Sequence, residues 1–272
     1  MPRGLFTAKI PSIAFVLYNT TMKIKFLTIN ILHGGTFWDN LVSFVHQQKP
    51  DIVFLQEVYN GHDQSLEKRF RTVDEFKKEF TFLSHAKFEP SLFDTNMGNI
   101  EWGNAVFSKF PISSSKALFF DIPLKPSPLV ENEDPRQTPE SMTCVEIDIL
   151  GKILYGFNIH GIWDTHGNDT VRRFEMLTVV KGAIHGKSPA ILAGDFNLSP
   201  ITKFVDEIEK ELTSVFGNSL SSTFNMMHKT KPGYATAVVD MVFVSYDIKV
   251  LSKEMPNVDV SDHMPLVAIL EI

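Results

Sequence analysis

The chain is poor in cysteine, has no basic excess and has no apolar run long enough to cross a membrane. Its 272 residues include one cysteine, Cys144. An intrachain disulfide is therefore excluded, as is a cysteine-rich zinc site, and a reducing compartment, the cytoplasm, is the expected location. Lysine and arginine number 26 against 32 aspartates and glutamates, a net charge of −6. A protein that holds duplex nucleic acid mainly by neutralising phosphates carries the opposite balance. Nucleic acid stays open as a partner only through a local patch. Lys68, Arg69, Arg71, Lys229 and Lys231 are the residues that could form such a rim, though charges on helices and loops are ordinarily solvated. The apolar run Ile13–Tyr18 is too short for a transmembrane segment. No small-residue cleavage site follows it. GxxxxGK[ST] and GxSxG are both absent, which removes support for a P-loop or a serine triad.

What remains is an ordinary globular composition, 43% hydrophobic and 21% charged, at a length that can bury a large core. Residues 1–22 stand apart from the pattern and read as an extension; residues 23–272 read as one domain, expected to be a monomer. KIKFLTINI alternates and then turns wholly apolar, as an inner strand does. Strands are expected at 51–58, around 81–88, 101–108, 113–120, 142–149, 152–160, 188–196, 237–245 and at the end of the chain. Helices are expected at 37–48, 66–80, 169–184 and 200–212, the last with Ser199 as N-cap, Pro200 at N1 and Ile201 inward. The simplest architecture is α/β: a four-layer sandwich of two packed mixed β-sheets flanked by helices. Two long loops, Asp121–Pro139 with five prolines and Phe216–Tyr234, are placed to border a site. Asn19-Thr20-Thr21 and Asn168-Asp169-Thr170 match the glycosylation pattern.

Several strands end in unusual chemistry: Thr28-Ile29-Asn30, Leu55-Gln56-Glu57, Asn158-Ile159-His160 and Gly194-Asp195-Phe196-Asn197. Asp262-His263 precedes the final strand. Each alone reads as a turn, a cap or a solvated charge. Asp240 does not, because an unpaired acid inside VVDMVFV would cost several kcal/mol. Strand ends of parallel and mixed sheets meet along one rim. Oxygen donors gathered there suit a hard cation such as Mg²⁺ or Mn²⁺.

TIN at 28–30, LQE at 55–57, GNAVFSKFPI at 103–112, NIH at 158–160, GDFN at 194–197, VDMVFVS at 239–245 and SDH at 261–263 occur in one fixed order. Together they resemble the endonuclease/exonuclease/phosphatase superfamily, the deoxyribonuclease I-like proteins, from about Met22 to Ile272. The resemblance implies a metal pocket of Asn30 and Glu57 with Asp262 close by. It also implies that Asp195 and Asn197 position the attacking water and a phosphate oxygen. His263 would be the essential imidazole, Asp240 its orienting carboxylate, and His160 the second histidine. Two positions depart from the pattern. Leu32, followed by His33, stands where some nucleases carry an Asp, and Glu175 stands where many bacterial-type members carry a Gln. Nearby Arg172 reads as mainly structural.

The implied function is metal-dependent hydrolysis of a phosphoester, with Mg²⁺ as the cofactor and Mn²⁺ as a substitute. A small or lipid-derived phosphodiester or phosphomonoester is the first reading, which the acidic charge favours. A nuclease or DNA end-processing phosphodiesterase is the second. A non-catalytic binding module is the third, and the intact set of Asp195, Asn197, Asp240 and His263 weighs against it. The sequence does not choose between Asp195 and His263 as proton acceptor, nor between one ion and two. Met226-Met227-His228 and Trp163–His166 are loop segments that could lie over a cleft, with ordinary loop packing the stronger reading.

Overall fold

The computed structural model describes residues 21–129 and 137–272. The Ile13–Tyr18 run and the Asn19 glycosylation match lie outside them. Thirteen strands run in chain order: β1 (Lys23–Asn30), β2 (Ile52–Tyr59), β3 (His85–Asp94), β4 (Ile100–Ser108), β5 (Ile112–Phe119), β6 (Lys125–Ser127), β7 (Ser141–Ile149), β8 (Lys152–His160), β9 (Ala190–Asp195), β10 (Thr213–Ser214), β11 (Asp240–Val244), β12 (Lys249–Glu254) and β13 (Leu266–Glu271). The helices are α1 (Leu32–Gly35), α2 (Trp38–Gln48), α3 (Thr72–Glu79), α4 (Val171–Ile184) and α5 (Lys203–Ile208).

The strands form two mixed sheets, ordered β12-β13-β1-β2-β4-β3-β6 and β10-β11-β9-β8-β7-β5. Period-two alternation decides what each face meets. On β1 and β2, Ile24, Phe26, Ile52 and Phe54 face the second sheet and pack on Val145, Leu154, Ile191 and Val242. Their neighbours Leu27, Ile29, Val53 and Leu55 face the other way, onto Leu41, Phe44, Val73 and Phe76 of α2 and α3. The outer face of the second sheet buries Phe157, Leu192 and Phe243 against Met176 and Val180 of α4 and Phe204 of α5. These are the four expected layers. Burial of each large side chain contributes about 1.5–3 kcal/mol. Close approach of the sheets requires Gly156, where a Cβ would sit 2.9 Å from the Phe54 ring.

Some expectations at the level of single elements are corrected. The 66–80 helix is a 3₁₀ turn at Lys68–Arg71 followed by α3. The Thr72 hydroxyl there donates to the Arg69 and Gly34 carbonyls. The 200–212 helix contracts to α5, and its cap is Thr202, not Ser199. Asp169 collects the amides of Lys203 and Phe204 at 2.8 and 3.2 Å, so the first turn is fixed three residues later than expected. Ile201 consequently points outward and is 88% exposed. The third strand runs 85–94 rather than 81–88. β6, β10 and β12 escape the hydrophobic pattern because two are very short and β12 is a largely exposed edge. Met22 exchanges two backbone hydrogen bonds with Ile272, which carries the β1–β13 ladder one residue further.

Polar cross-links join the two sheets near one rim. The Gln56 amide donates to Asn158 Oδ1 at 2.5 Å, and Asn158 Nδ2 donates to the carbonyls of Leu55 and Ala105 at 2.9 and 3.0 Å. Both side chains are fully buried. Such a group is tolerated only when its partners are in place.

Candidate active site

Strand register assembles one half of the rim. His160 and Asp195 face each other across the parallel β8–β9 pair, and Asp195 faces Asp240 across the antiparallel β9–β11 pair. Facing residues project from the same side of a sheet. One row thus holds an imidazole and two carboxylates, all at most 5% exposed. His263 joins them from the segment before β13. Its Nδ1 lies 2.9 Å from Asp240 Oδ2, and its Nε2 lies 3.8 Å from Asp195 Oδ2. His160 Nε2 approaches the same Asp195 oxygen at 3.8 Å. The Thr223 hydroxyl accepts the amides of Val239 and Asp240 at 3.0 and 3.2 Å, and the Phe224 ring packs on the His263 imidazole at 4.7 Å.

Burial acts against the charged form of His263. The carboxylates of Asp240 and Asp195 outweigh it and hold the imidazolium up to about 10. Asp240 is itself pushed up to about 6 by burial, against the pull of His263. The pair is ionised at neutral pH.

Backbone conformation assembles the other half. A bulge between Leu55 and Val58 places Glu57 at φ +60°. Asn197 has φ +54°, and Leu32, His33, Gly34 and Gly35 all have positive φ, so α1 is a distorted turn. Left-handed backbone at a non-glycine residue costs of order 1–3 kcal/mol and persists where surroundings enforce it. Here they do. The His33 amide donates to Glu57 Oε2 at 2.8 Å. Asn30 Nδ2 donates to Glu57 Oε1 at 3.0 Å and to Asp195 Oδ2 at 3.1 Å, which bridges the halves. The Asn197 amide donates to Asp195 Oδ1 at 2.8 Å, and its side chain donates to the Gly161 carbonyl at 3.0 Å. Burial raises the Glu57 carboxyl, but His33, His160, the His33 amide and Asn30 together hold it down to about 2. Gly194, at φ +139°, has no room for a Cβ, which would fall 2.1 Å from the Ile159 carbonyl oxygen.

Of the eight residues singled out from sequence, seven are linked by these contacts. The eighth, Asp262, takes a different partner: its carboxylate lies 2.8 Å from Lys229 Nζ. Burial works against the Lys229 ammonium, and Asp262 more than compensates, so its pKa is raised.

Two supporting residues escaped sequence reading. Glu140, 4% exposed, has Oε2 3.2 Å from His160 Nδ1. Burial, then Glu57 and Asp195, raise its pKa well above the carboxylate range and favour the neutral acid. An acid directly before the apolar run of β7 was the one available signal. Arg173 is fully buried and donates to the carbonyls of Ile162, His166, Asn168 and Asn197, tying the post-β8 loop to the post-β9 loop. Arg172 pairs with Asp121. His228 pairs with Asp259 at 2.6 Å and packs on Phe37, while Met227 is 70% exposed.

The site carries donors of the kind that hold a divalent cation. Glu57, Asp262 and Asn30 offer hard oxygens. Asp240 Oδ1 is buried without a hydrogen-bond partner. Among the described residues, Asp195, Asp240 and His263 bring ligand atoms within 4.8 Å of one another, and the two carboxylates are the part a metal ion could use while His263 is protonated.

The sequence model of the Endonuclease/Exonuclease/phosphatase family matches residues 27–263. The chain belongs to this family. Members of the endonuclease/exonuclease/phosphatase family are phosphoester hydrolases that typically use divalent metals. Solved structures share the fold. An endonuclease/exonuclease/phosphatase from Beutenbergia cavernae is 16% identical with a TM-score of 0.72, over 92% of this chain and 72% of that one. A mannosyl-6-phosphatase from Bacteroides thetaiotaomicron is 18% identical with a TM-score of 0.66, over 91% and 99%. A D. rerio TDP2 humanized by 14 mutations is 16% identical with a TM-score of 0.64, over 91% and 98%. At these identities the likeness speaks for the fold. No curated protein sequence matches the chain. Among the described residues, no helix is long and apolar enough to cross a membrane.

Proposed function

We propose that this chain, as one domain over residues 23–272, is a Mg²⁺-dependent hydrolase of a small or lipid-derived phosphoester, acting by in-line attack of water. One observation carries the reading: Asp195 Oδ2 faces two imidazole Nε2 atoms, at 3.8 Å each, while the outer nitrogen of His263 is committed to Asp240. A carboxylate facing two such groups suits a reaction that needs an acceptor for a water proton and donors for a phosphoryl group.

Asp195 orients and deprotonates the attacking water. His263, kept charged by Asp240, donates from Nε2 to the phosphoryl group, which makes it a poor base and an effective charge stabiliser. His160, backed by Glu140, supports a second phosphoryl oxygen, and Asn197 holds the geometry of Asp195. Glu57, with Asn30 and Asp262, would hold Mg²⁺. The ion, when bound, supplies Lewis-acid polarisation of the phosphoryl oxygens and charge stabilisation at the leaving oxygen. The net charge of −6 supports a small or lipid-derived substrate over duplex nucleic acid. Of the structures that share the fold, one is named a mannosyl-6-phosphatase, which supports a small phosphoester as a substrate class to test.

The test is Mg²⁺- and Mn²⁺-dependent turnover of an aryl phosphomonoester, an aryl phosphodiester and a nicked or abasic duplex by wild type, Asp195→Asn and His263→Ala. Metal-dependent turnover of the aryl esters that falls about 10³-fold or more in both variants is expected. Turnover of the duplex alone would replace the substrate class, and a folded wild type inert on all three would overturn the reading.

A further inference from the structure

Of the basic residues that sequence could assign to a rim, Arg69 and Arg71 pair with Glu67 and Glu75 at 3.0 and 2.6 Å. Among the described residues, Lys229 is the one lysine or arginine whose charge pairs with a carboxylate of the site. Its placement is built rather than incidental. Lys229 N donates to the Asn225 carbonyl at 3.0 Å, and Asn225 N donates to the Asp262 carbonyl at 2.9 Å. Asn225 Nδ2 donates to the Ser261 carbonyl at 3.0 Å, so the lysine-bearing turn is fastened to the Ser261–His263 segment. The ammonium stands 5.2 and 5.4 Å from the ring centres of Phe224 and Tyr234, and Phe224 is the ring packed on His263. The Asp262 side chain is 8% exposed and that of Lys229 29%. The carboxylate is the more covered partner of the pair and the lysine side chain the more open one.

We infer that Lys229 contacts a non-bridging oxygen of the substrate phosphate and biases the site toward phosphomonoesters. The inference rests on the phosphoester reading above and names the substrate class within it. The physical reason is charge. The site carries Glu57, Asp195 and Asp262 against a substrate that is itself an anion. A monoester near neutral pH approaches two negative charges, whereas a diester carries one. An ammonium already seated on Asp262, the residue next to His263, repays the approach of the second charge. Its aromatic walls and Asp262 hold the stem in place, so little side-chain freedom is lost on contact. As a phosphate contact, Lys229 would fix affinity more than the chemical step.

The experiment uses the full chain as wild type, Lys229→Met and Lys229→Arg. It reads kcat and KM on an aryl phosphomonoester and its methyl diester, calorimetric binding of inorganic phosphate, and calorimetric binding of Mg²⁺. Lys229→Met is expected to raise the monoester KM about tenfold or more and to weaken phosphate binding similarly, with the diester KM within about threefold. Lys229→Arg is expected to restore most of the loss. Unchanged monoester KM and phosphate binding would overturn the inference. So would an equal rise in both KM values, or a change confined to Mg²⁺ affinity, which would make Lys229 a counter-ion of the metal pocket. If wild type hydrolyses neither ester, the small-phosphoester reading fails by itself. The phosphate titration then still decides: binding lost in Lys229→Met supports the contact, while binding equal in both, or absent from wild type, overturns it.

Discussion

The two halves of the rim reach the same density of polar groups by different physics. Around Asp195 the backbone is regular strand: His160, Asp195 and Asp240 occupy facing positions on three adjacent strands, and ladder hydrogen bonds hold them there. Around Glu57 the backbone is irregular, with a bulge, a left-handed Glu57 and a distorted turn at Leu32–Gly35. The first half is a lattice position; the second is a fold of the chain around a single carboxylate. The difference suits the role proposed for each half. Proton-handling groups need fixed mutual distances, which strand register supplies without strain. A cation pocket needs oxygens to converge from several directions, and a flat sheet does not offer that.

The largest expected effect comes from breaking the regular half. Asp240→Asn leaves the shape intact but removes the charge that holds His263, and a fall in kcat of about 10²-fold or more is expected in steady-state assays. A loss under fivefold would mean that the dyad serves packing rather than chemistry. The same variant carries a pH signature. The folded His263 pKa of about 10 lies above the free value of 6.5. The stabilisation is therefore fully present below pH 6.5 and disappears as pH rises toward 10. Urea midpoints of wild type should fall over that interval, and those of Asp240→Asn should fall less. Parallel curves would remove the ion pair as a source of stability.

An intermediate effect is expected from the irregular half. Glu57 is held near 2 against a free value of 4.5. Its contribution, roughly 3 kcal/mol, is present above pH 4.5 and is lost as pH falls toward 2. Glu57→Gln should flatten the acid limb of the stability curve and weaken Mg²⁺ binding about tenfold or more by calorimetry. An unchanged acid limb would mean that the hydrogen bonds around Glu57 do not favour its charge. The smallest effect should come from Glu140→Gln. Burial raises the Glu140 pKa, and the substitution puts a neutral group of the same shape beside His160, so kcat should stay within about threefold. A loss near a hundredfold would show that the charged form of Glu140 is needed.

The same contrast explains how much could be read in advance. Asp195, Asn197, Asp240 and His263 lie at the ends of apolar strands, where a charged residue is conspicuous, and the motif order identifies them. The layers, too, follow from alternation along β1, β2, β8 and β9. Glu140, Arg173 and Lys229 look ordinary by comparison. Each owes its environment to a loop that returns from elsewhere in the chain, and no local period encodes that return. Asp262 shows the same limit from the other side: its motif is legible, but its pairing with Lys229 depends on the turn at Asn225. The 200–212 helix began late for a related reason, since its first amides are captured by Asp169 from a distant segment.

β13 lies between β1 and β12, inside its sheet rather than at an edge. The strand that arrives late in the chain therefore fills a slot beside one that arrives early, and it carries His263 in with it. Pairings of such wide sequence separation form slowly. Turnover is therefore expected to be the last property a refolding molecule regains, and its return together with the helix and strand signals would place that insertion early. Helix and strand signals would recover first, and a chain caught before that final insertion would look nearly native while lacking the imidazole its chemistry turns on.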